Sequence, residues 1–297
     1  MRVRIATRGS PLARWQAEHV GALLRGDDPD VDVELVVVET RGDVTKDRPI
    51  HELGGQGVFV KEVQSTVVDG HADLAVHSAK DLPSTPTPGL VIAAVPERGD
   101  PRDALVGSAL ADLRVGATLA TGSVRRQAQL AHLRPDLTFV DLRGNIQTRL
   151  SKVPAGGAVV MAAVALERLG LASHVAEVLD PAVMLPQVAQ GALAVECREA
   201  DRATIERLGR IEHAPSRAAV DGERSFLAAL GAGCDLPVGA HVTGSAGAWR
   251  CEGLIADLSG TTVLRHTEVG GDPVALGTQV AQVLLDDLGG SRLLSRS

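Results

Sequence analysis

Residues 3–7 alternate in the manner of a strand and run into the polar turn Arg8-Gly9-Ser10-Pro11. Leu12, Trp15, Val20, Leu23 and Leu24 then share one face of a helix over 12–24, for which Ser10 suits the cap and Pro11 the first turn. The same logic predicts strands over 33–39, 74–76 and 90–95, with a helix over 58–68 after the turn Gly54-Gly55-Gln56-Gly57. The polar, Pro- and Gly-rich stretch 96–103 interrupts this rhythm and predicts a domain boundary or hinge. Beyond it the alternation restarts, with strands over 115–121, 137–141 and 158–163 and helices over 123–133 and 145–152. A second Pro-containing stretch, 181–189, marks another crossing, followed by a helix over 201–212. From about 215 the texture changes to a helix over 216–230, strands over 236–243, 248–256 and 261–267, and a helix over 273–287. Strands alternating with helices predict an α/β architecture with largely parallel sheets, and the last segment a small α+β domain.

The composition narrows what such a scaffold binds. The 297 residues hold 26 Arg but only 4 Lys, against 37 acidic side chains, for a net charge of −7. Aromatic residues are Phe59, Phe139, Phe226, Trp15 and Trp249, with no Tyr, so the core is expected to be aliphatic and a base-stacking platform is absent. With the acidic net charge, this argues against a nucleic-acid partner. Cys197, Cys234 and Cys251 are too few and scattered for a disulfide framework, no CxxC suggests zinc, and no metal site is expected. No secretory run and no stretch of about 18 apolar residues occurs, so a reduced cytoplasmic protein without a membrane partner is expected.

The positive charge gathers at strand ends. Arg8 and Ser10 follow the first strand, Arg41 and Asp43 the second, and Ser78, Lys80 and Asp81 the third. Ser123, Arg125 and Arg126 follow a fourth and Arg143 a fifth; residues 113–149 hold six Arg and two acids. Strand ends on one edge of a parallel sheet, beside helix N-termini, suit anions, and the guanidinium fork matches carboxylate or phosphate. For a single arginine such as Arg134, a surface charge in an intrahelical ion pair is the better reading. Asp81, in a polar turn beside Lys80, fits a general acid or base, a partner for a cationic nitrogen, or a helix cap or ion pair. Cys234, in Gly231-Ala232-Gly233-Cys234-Asp235, has small neighbours that leave its sulfur accessible to modification, whereas Cys197 and Cys251 lie in strand-like runs and read as buried. No GxGxxG or GxxxxGK[ST] is present, so no nucleotide site is indicated. An anion-binding receptor module fits these features as well as an enzyme does.

Nine ordered motifs go further: IATRGSPLARWQA (5–17), VVETRGD (37–43), GGQGVFVKE (54–62), ADLAVHSAKDLP (72–83), ERGDPRDAL (97–105), GSVRRQAQL (122–130), LRGNIQTRLSK (142–152), LPQVAQGALAVECR (185–198) and AGCDLPVG (232–239). Together they resemble the hydroxymethylbilane synthase, or porphobilinogen deaminase, family over essentially the whole chain. The resemblance implies two lobes like those of periplasmic binding proteins, with the active site between them, and a small α+β third domain. The implied boundaries are 1–95 with 190–212, 96–189, and 215–297. It also implies a transferase that joins four porphobilinogen head to tail with loss of four ammonia, yielding linear 1-hydroxymethylbilane for tetrapyrrole and haem synthesis. The implied cofactor is dipyrromethane, held by a thioether to Cys234, in a monomeric cytoplasmic enzyme. Asp81 matches the catalytic carboxylate; Ser78, Lys80, Asp81, Ser123, Arg125 and Arg126 match cofactor-binding positions. Arg8, Ser10, Arg143, Arg149 and Arg168 match substrate-binding positions. The chain departs from the family pattern at Glu52 and Gln56, where many members carry lysines, so those two positions are in doubt as cofactor ligands.

Overall fold

The computed structural model describes residues 2–39, 60–231, 236–245 and 247–294. Arg41, Asp43, Glu52, the glycines at 54, 55 and 57, Gln56 and Cys234 therefore lie outside the described residues. The chain divides into two compact units, Met1–Gly99 with Ala192–Arg217, and Asp100–Gly191 with Ala218–Ser297.

In the first unit, β1 (Arg2–Arg8) leads into α1 (Pro11–Asp27), and Ser10 caps this helix, accepting the Ala13 N–H at 3.3 Å. Pro11 occupies the first turn, where its missing N–H leaves no bond unmade. β2 (Asp32–Val38), α2 (Lys61–Val68), β3 (Leu74–Ser78) and β4 (Leu90–Ala94) follow. β1 pairs in parallel with β2 and β3, so the C-terminal ends of these strands share an edge. Val3, Ile5, Leu74 and Val76 pack under Ala17, Val20 and Leu24 of α1, an aliphatic core without a single ring.

In the second unit, β5 (Asp103–Val106), β6 (Thr118–Ala120), α3 (Val124–Leu133), β7 (Thr138–Val140), α4 (Ile146–Leu150), β8 (Ala158–Ala162), α5 (Ala163–Arg168) and β9 (Val175–Val178) form one lobe. Its sheet has the order β7-β6-β8-β5-β9, with β6 parallel to β7 and β8, and β5 antiparallel to β8 and β9. Two aliphatic clusters cover its faces, one around Leu105, Leu119, Leu130 and Val160 and the other around Ala104, Ala120, Val159 and Leu166.

The chain then re-enters the first unit as β10 (Leu193–Arg198), which inserts between β3 and β4 and runs antiparallel to both, giving the order β2-β1-β3-β10-β4. Each large sheet thus has four strands running one way, as expected, and a single opposed strand, β5 or β10, which comes directly from a crossing between units. After α6 (Arg202–Gly209), helix α7 (Ala214–Ala229) carries the chain back into the second unit. There β11 (Val238–Ser245), β12 (Ala248–Ala256) and β13 (Val263–Gly270) form an antiparallel three-stranded sheet. α8 (Pro273–Gln282) packs on this sheet and gives way to a π-helical stretch, Val283–Asp287, where a single helix over 273–287 was expected. Ala128 of α3 packs with Leu185, Leu254 and Ala256, so the three-stranded sheet backs the helix that carries Arg125 and Arg126.

Candidate active site

In the first unit, the ends of β1 and β3 bring Arg8, Ser10, Ser78, Lys80 and Asp81 to one sheet edge. Ala79–Asp81 form a single 3-10 turn, pinned by the Ala79 N–H on the Ala192 carbonyl at 3.0 Å. Ser78 holds the cap position of this turn, yet its side chain makes no capping bond; its Oγ instead accepts Gln16 Nε2 at 2.8 Å. Asp81 ends the turn and is exposed, so it is not the turn's cap. On the other face of β3, buried His77 lies 3.1 Å from a Glu196 oxygen, in poor alignment for a hydrogen bond; that oxygen also accepts Gln64 Nε2 at 2.8 Å. Thr87 closes the chain by donating to Gln64 Oε1 at 3.0 Å. These polar groups lock the strand that bears the turn to α2 and β10 from below.

In the second unit, the corresponding edge collects Ser123, Arg125, Arg126, Arg143, Arg149 and Arg168 around the ends of β6, β7 and β8. Ser123 caps α3, and its hydroxyl accepts the Arg126 N–H at 3.5 Å. Gly122 before it has a physical reason: a Cβ there would stand 2.7 Å from the Leu142 carbonyl and 3.1 Å from Asp141 Oδ1. Only glycine lets the loop ahead of Arg125 lie against the loop ahead of Arg143. Arg143 Nε donates to Asp141 at 2.8 Å, and Arg149 Nε to the Gly144 carbonyl at 2.8 Å. Arg168 is half-buried and donates to the Gly191 carbonyl at 2.7 Å; burial lowers its pKa to about 10.

Arg125 and Arg126 are neither surface charges nor open forks. Both are buried against Asp103, whose carboxylate has no solvent exposure. Arg125 Nη2 meets Oδ2 at 2.7 Å, while Arg126 approaches Oδ1 through Nε at 3.0 Å and Nη2 at 2.7 Å. Main-chain carbonyls take further donors: Leu185 accepts Arg125 Nη1 at 2.6 Å and Val160 accepts Arg126 Nη1 at 3.1 Å. Gln190 Nε2 joins the cluster, donating to Asp103 Oδ1 at 2.9 Å and the Pro101 carbonyl at 2.7 Å. Two guanidinium charges share one carboxylate, leaving a local positive excess, and Arg125 Nε is buried without a hydrogen-bond partner among the described residues. That excess favours negative charge nearby, although the orphaned donor itself is sealed from solvent. By contrast, Arg134 is indeed in an ion pair, with Asp136 at 2.7 Å, and also binds the Leu110 and Leu113 carbonyls.

α7 and β11 precede and follow Cys234 in the sequence. Glu223 of α7 is fully buried; it accepts the Val242 N–H of β11 at 3.0 Å and the Ala189 N–H at 2.6 Å. Ala189 sits at φ 59°, the one non-glycine with positive φ among the described residues. Asp103, Gln16, Glu223 and Gln190 were not singled out from sequence. Asp103 appeared in the sequence only inside the polar boundary stretch and the motif ERGDPRDAL, and Gln16 and Gln190 only inside motifs, none with a role of its own.

Two family models match the chain: "Porphobilinogen deaminase, dipyromethane cofactor binding domain" over residues 3–206 and "Porphobilinogen deaminase, C-terminal domain" over 218–286. A porphobilinogen deaminase of Nitratidesulfovibrio vulgaris is 49% identical over 290 residues, covering 95% of this chain and 90% of the relative. One from Syntrophotalea carbinolica is 45% identical, with 95% and 92% covered, and one from Stenotrophomonas maltophilia 44%, with 98% of each. Among solved structures, the BenM effector binding domain with its effector benzoate matches at a TM-score of 0.42 and 16% identity, covering 70% of this chain and 88% of that one.

Proposed function

The chain belongs to the porphobilinogen deaminase family, and from that membership we infer how its own residues serve the reaction of a hydroxymethylbilane synthase. This transferase joins four porphobilinogen molecules head to tail, releases four ammonia and delivers linear 1-hydroxymethylbilane. Its fold class is α/β, with two lobes of the periplasmic-binding-protein kind and a small α+β region. We assign domains to 1–95 with 190–212, 96–189, and 215–297, and read the enzyme as a cytoplasmic monomer that takes up neither nucleic acid nor membrane.

The residues present fit dipyrromethane, whose pyrroles carry acetate and propionate. What supports the fit is the local positive excess of Arg125 and Arg126 over their one shared carboxylate, Asp103, in the helix that Ser123 caps. Ser78, Lys80, Ser123, Arg125 and Arg126 would hold these carboxylates, and Cys234 would carry the thioether. When bound, the group supplies the nucleophilic pyrrole carbon on which the product is built. Arg8, Ser10, Arg143, Arg149 and Arg168 bind the carboxylates of the incoming substrate and the growing chain. Their role is positional, because a guanidinium fork fixes the orientation of a carboxylate as well as its charge. Asp81, exposed at the end of its turn, holds the proton at the substrate's departing aminomethyl nitrogen and offsets positive charge on the pyrrole nitrogen.

Intact-mass measurement of the purified protein tests this reading. A covalent addition the size of two linked pyrroles, lost in Cys234→Ala together with turnover, is expected. An unmodified yet active protein overturns it.

A further inference from the structure

We propose that Gln16 is a positioning residue that acts through Ser78, reserving the serine's single proton for a ligand carboxylate. The proposal rests on the reading of Ser78 as a carboxylate ligand. Gln16 is 3% exposed, on the face of α1 that otherwise buries Ala17, Val20, Gly21 and Leu24. An amide placed there without a partner is costly, and an apolar side chain would pack without that demand. The partner it finds is Ser78 Oγ, 2.8 Å from Gln16 Nε2.

The direction of this bond sets the chemistry. A serine hydroxyl offers one O–H and two lone pairs. Serines at the cap position of a helical turn commonly use a lone pair on the turn's own N–H groups, but Ser78 makes no such bond. Gln16 fills one lone pair with an N–H, so the amide does not draw the hydroxyl proton toward itself. Ser78 is left as a donor at the sheet edge that also carries Arg8, Lys80 and Asp81. An anion there accepts the serine proton. The bond also restrains the Ser78 side chain from α1, so the strand end need not order it on binding.

A double-mutant cycle tests the proposal, with Ser78→Ala, Gln16→Met, Gln16→Glu and the Ser78→Ala/Gln16→Met pair. The readouts are kcat and KM for porphobilinogen and cofactor occupancy by intact mass. Gln16→Met is expected to lower kcat/KM or occupancy about as much as Ser78→Ala, by roughly ten-fold, the scale of one hydrogen bond to a charged acceptor. Gln16→Glu keeps the shape but turns the donor into an acceptor that captures the Ser78 proton, and is expected to be worse than Gln16→Met. In the Ser78→Ala background, Gln16→Met should add less than about two-fold, because contacting residues that act as a unit are not additive. Equal effects of Gln16→Met in both backgrounds overturn the proposal. So does Gln16→Glu at wild-type activity and occupancy, which decides the matter should Gln16→Met fail to fold. Loss on Ser78→Ala with none on Gln16→Met refutes the role of Gln16 alone, whereas an unchanged Ser78→Ala protein refutes the reading of Ser78 itself.

Discussion

Arg126 closes two of its nitrogens, Nε and Nη2, on a single oxygen of Asp103, and leaves the other oxygen to its neighbour Arg125. All three side chains are buried. Removing the carboxylate strands two buried cations at once. Asp103→Ala is therefore expected to cost about 3–5 kcal/mol of unfolding free energy, the scale for breaking a buried ion pair from one side. Urea denaturation reads it directly, and a loss below about 1 kcal/mol contradicts the arrangement.

The same pair predicts an acid limb. Burial pushes the Asp103 carboxyl up, but the charges of Arg125 and Arg126 outweigh this and hold it well below the ordinary carboxylate range. A depressed folded-state pKa means that the unfolded chain takes up the proton first. The stability this group contributes is complete above its unfolded pKa, near 4, and is lost as pH falls toward its folded value. Wild-type stability should drop between about pH 5 and pH 2 more steeply than that of Asp103→Asn. Parallel pH profiles would refute the assignment.

Asp81 stands at the opposite extreme, exposed and at the end of a three-residue turn. Asp81→Ala should leave the unfolding free energy within about 0.5 kcal/mol of wild type, as for an exposed residue without a packing role. Turnover should fall by about 10²–10⁴-fold, the usual contribution of a proton-transfer group. Single-turnover assays alongside denaturation separate the two; retained turnover would remove Asp81 from the mechanism.

Ala189 is held in the left-handed region with its N–H on the buried Glu223 carboxylate. Glycine adopts that conformation without the Cβ penalty of about 1–2 kcal/mol, although it loses more chain entropy on folding. Ala189→Gly is expected to gain about 0.5–1 kcal/mol net, and Ala189→Val to lose more than that. A lowered urea midpoint for the glycine variant would show that the positive φ is not a source of strain.

The thiols divide by environment. Burial pushes Cys197 up to about 11 and Cys251 up to about 12. At pH 8 about one Cys197 in a thousand is a thiolate, and fewer of Cys251. Native protein should leave both unlabelled by iodoacetamide over hours, and urea should expose both. Rapid native labelling at either peptide would contradict their burial.

Much of this was legible in the sequence, for definite reasons. The helix over 124–133 and the strands from 2 to 38 carry strong period signals bounded by Ser10, Pro11 and Ser123, whose capping chemistry is local. β5 and β9 escaped notice because DALV and VAEV are four-residue runs with no period to detect. The Arg125–Arg126 pair read as ligand-facing forks because Asp103, their shared partner, is 22 positions from Arg125 and entered without a role of its own. Gln16 escaped because nothing in a helical pattern tells a buried amide with a partner from one without. Ser78, which answers it, lies 62 residues downstream.

The place of β10 in its sheet has a consequence for biosynthesis. A nascent chain that has emerged only as far as residue 190 holds β3 and β4 but not the strand that must lie between them. Its first lobe cannot close its sheet, whatever the quality of the local signals there. The second lobe's five strands, by contrast, are contiguous from 103 to 178 and wait on nothing later in the chain for their pairing. The order of completion is therefore the reverse of the order of synthesis, with the later lobe able to finish its sheet while the earlier one stands open. Until Leu193–Arg198 clears the ribosome, β3 and β4 each lack the partner that covers this backbone edge, the kind of edge that pairs with other chains.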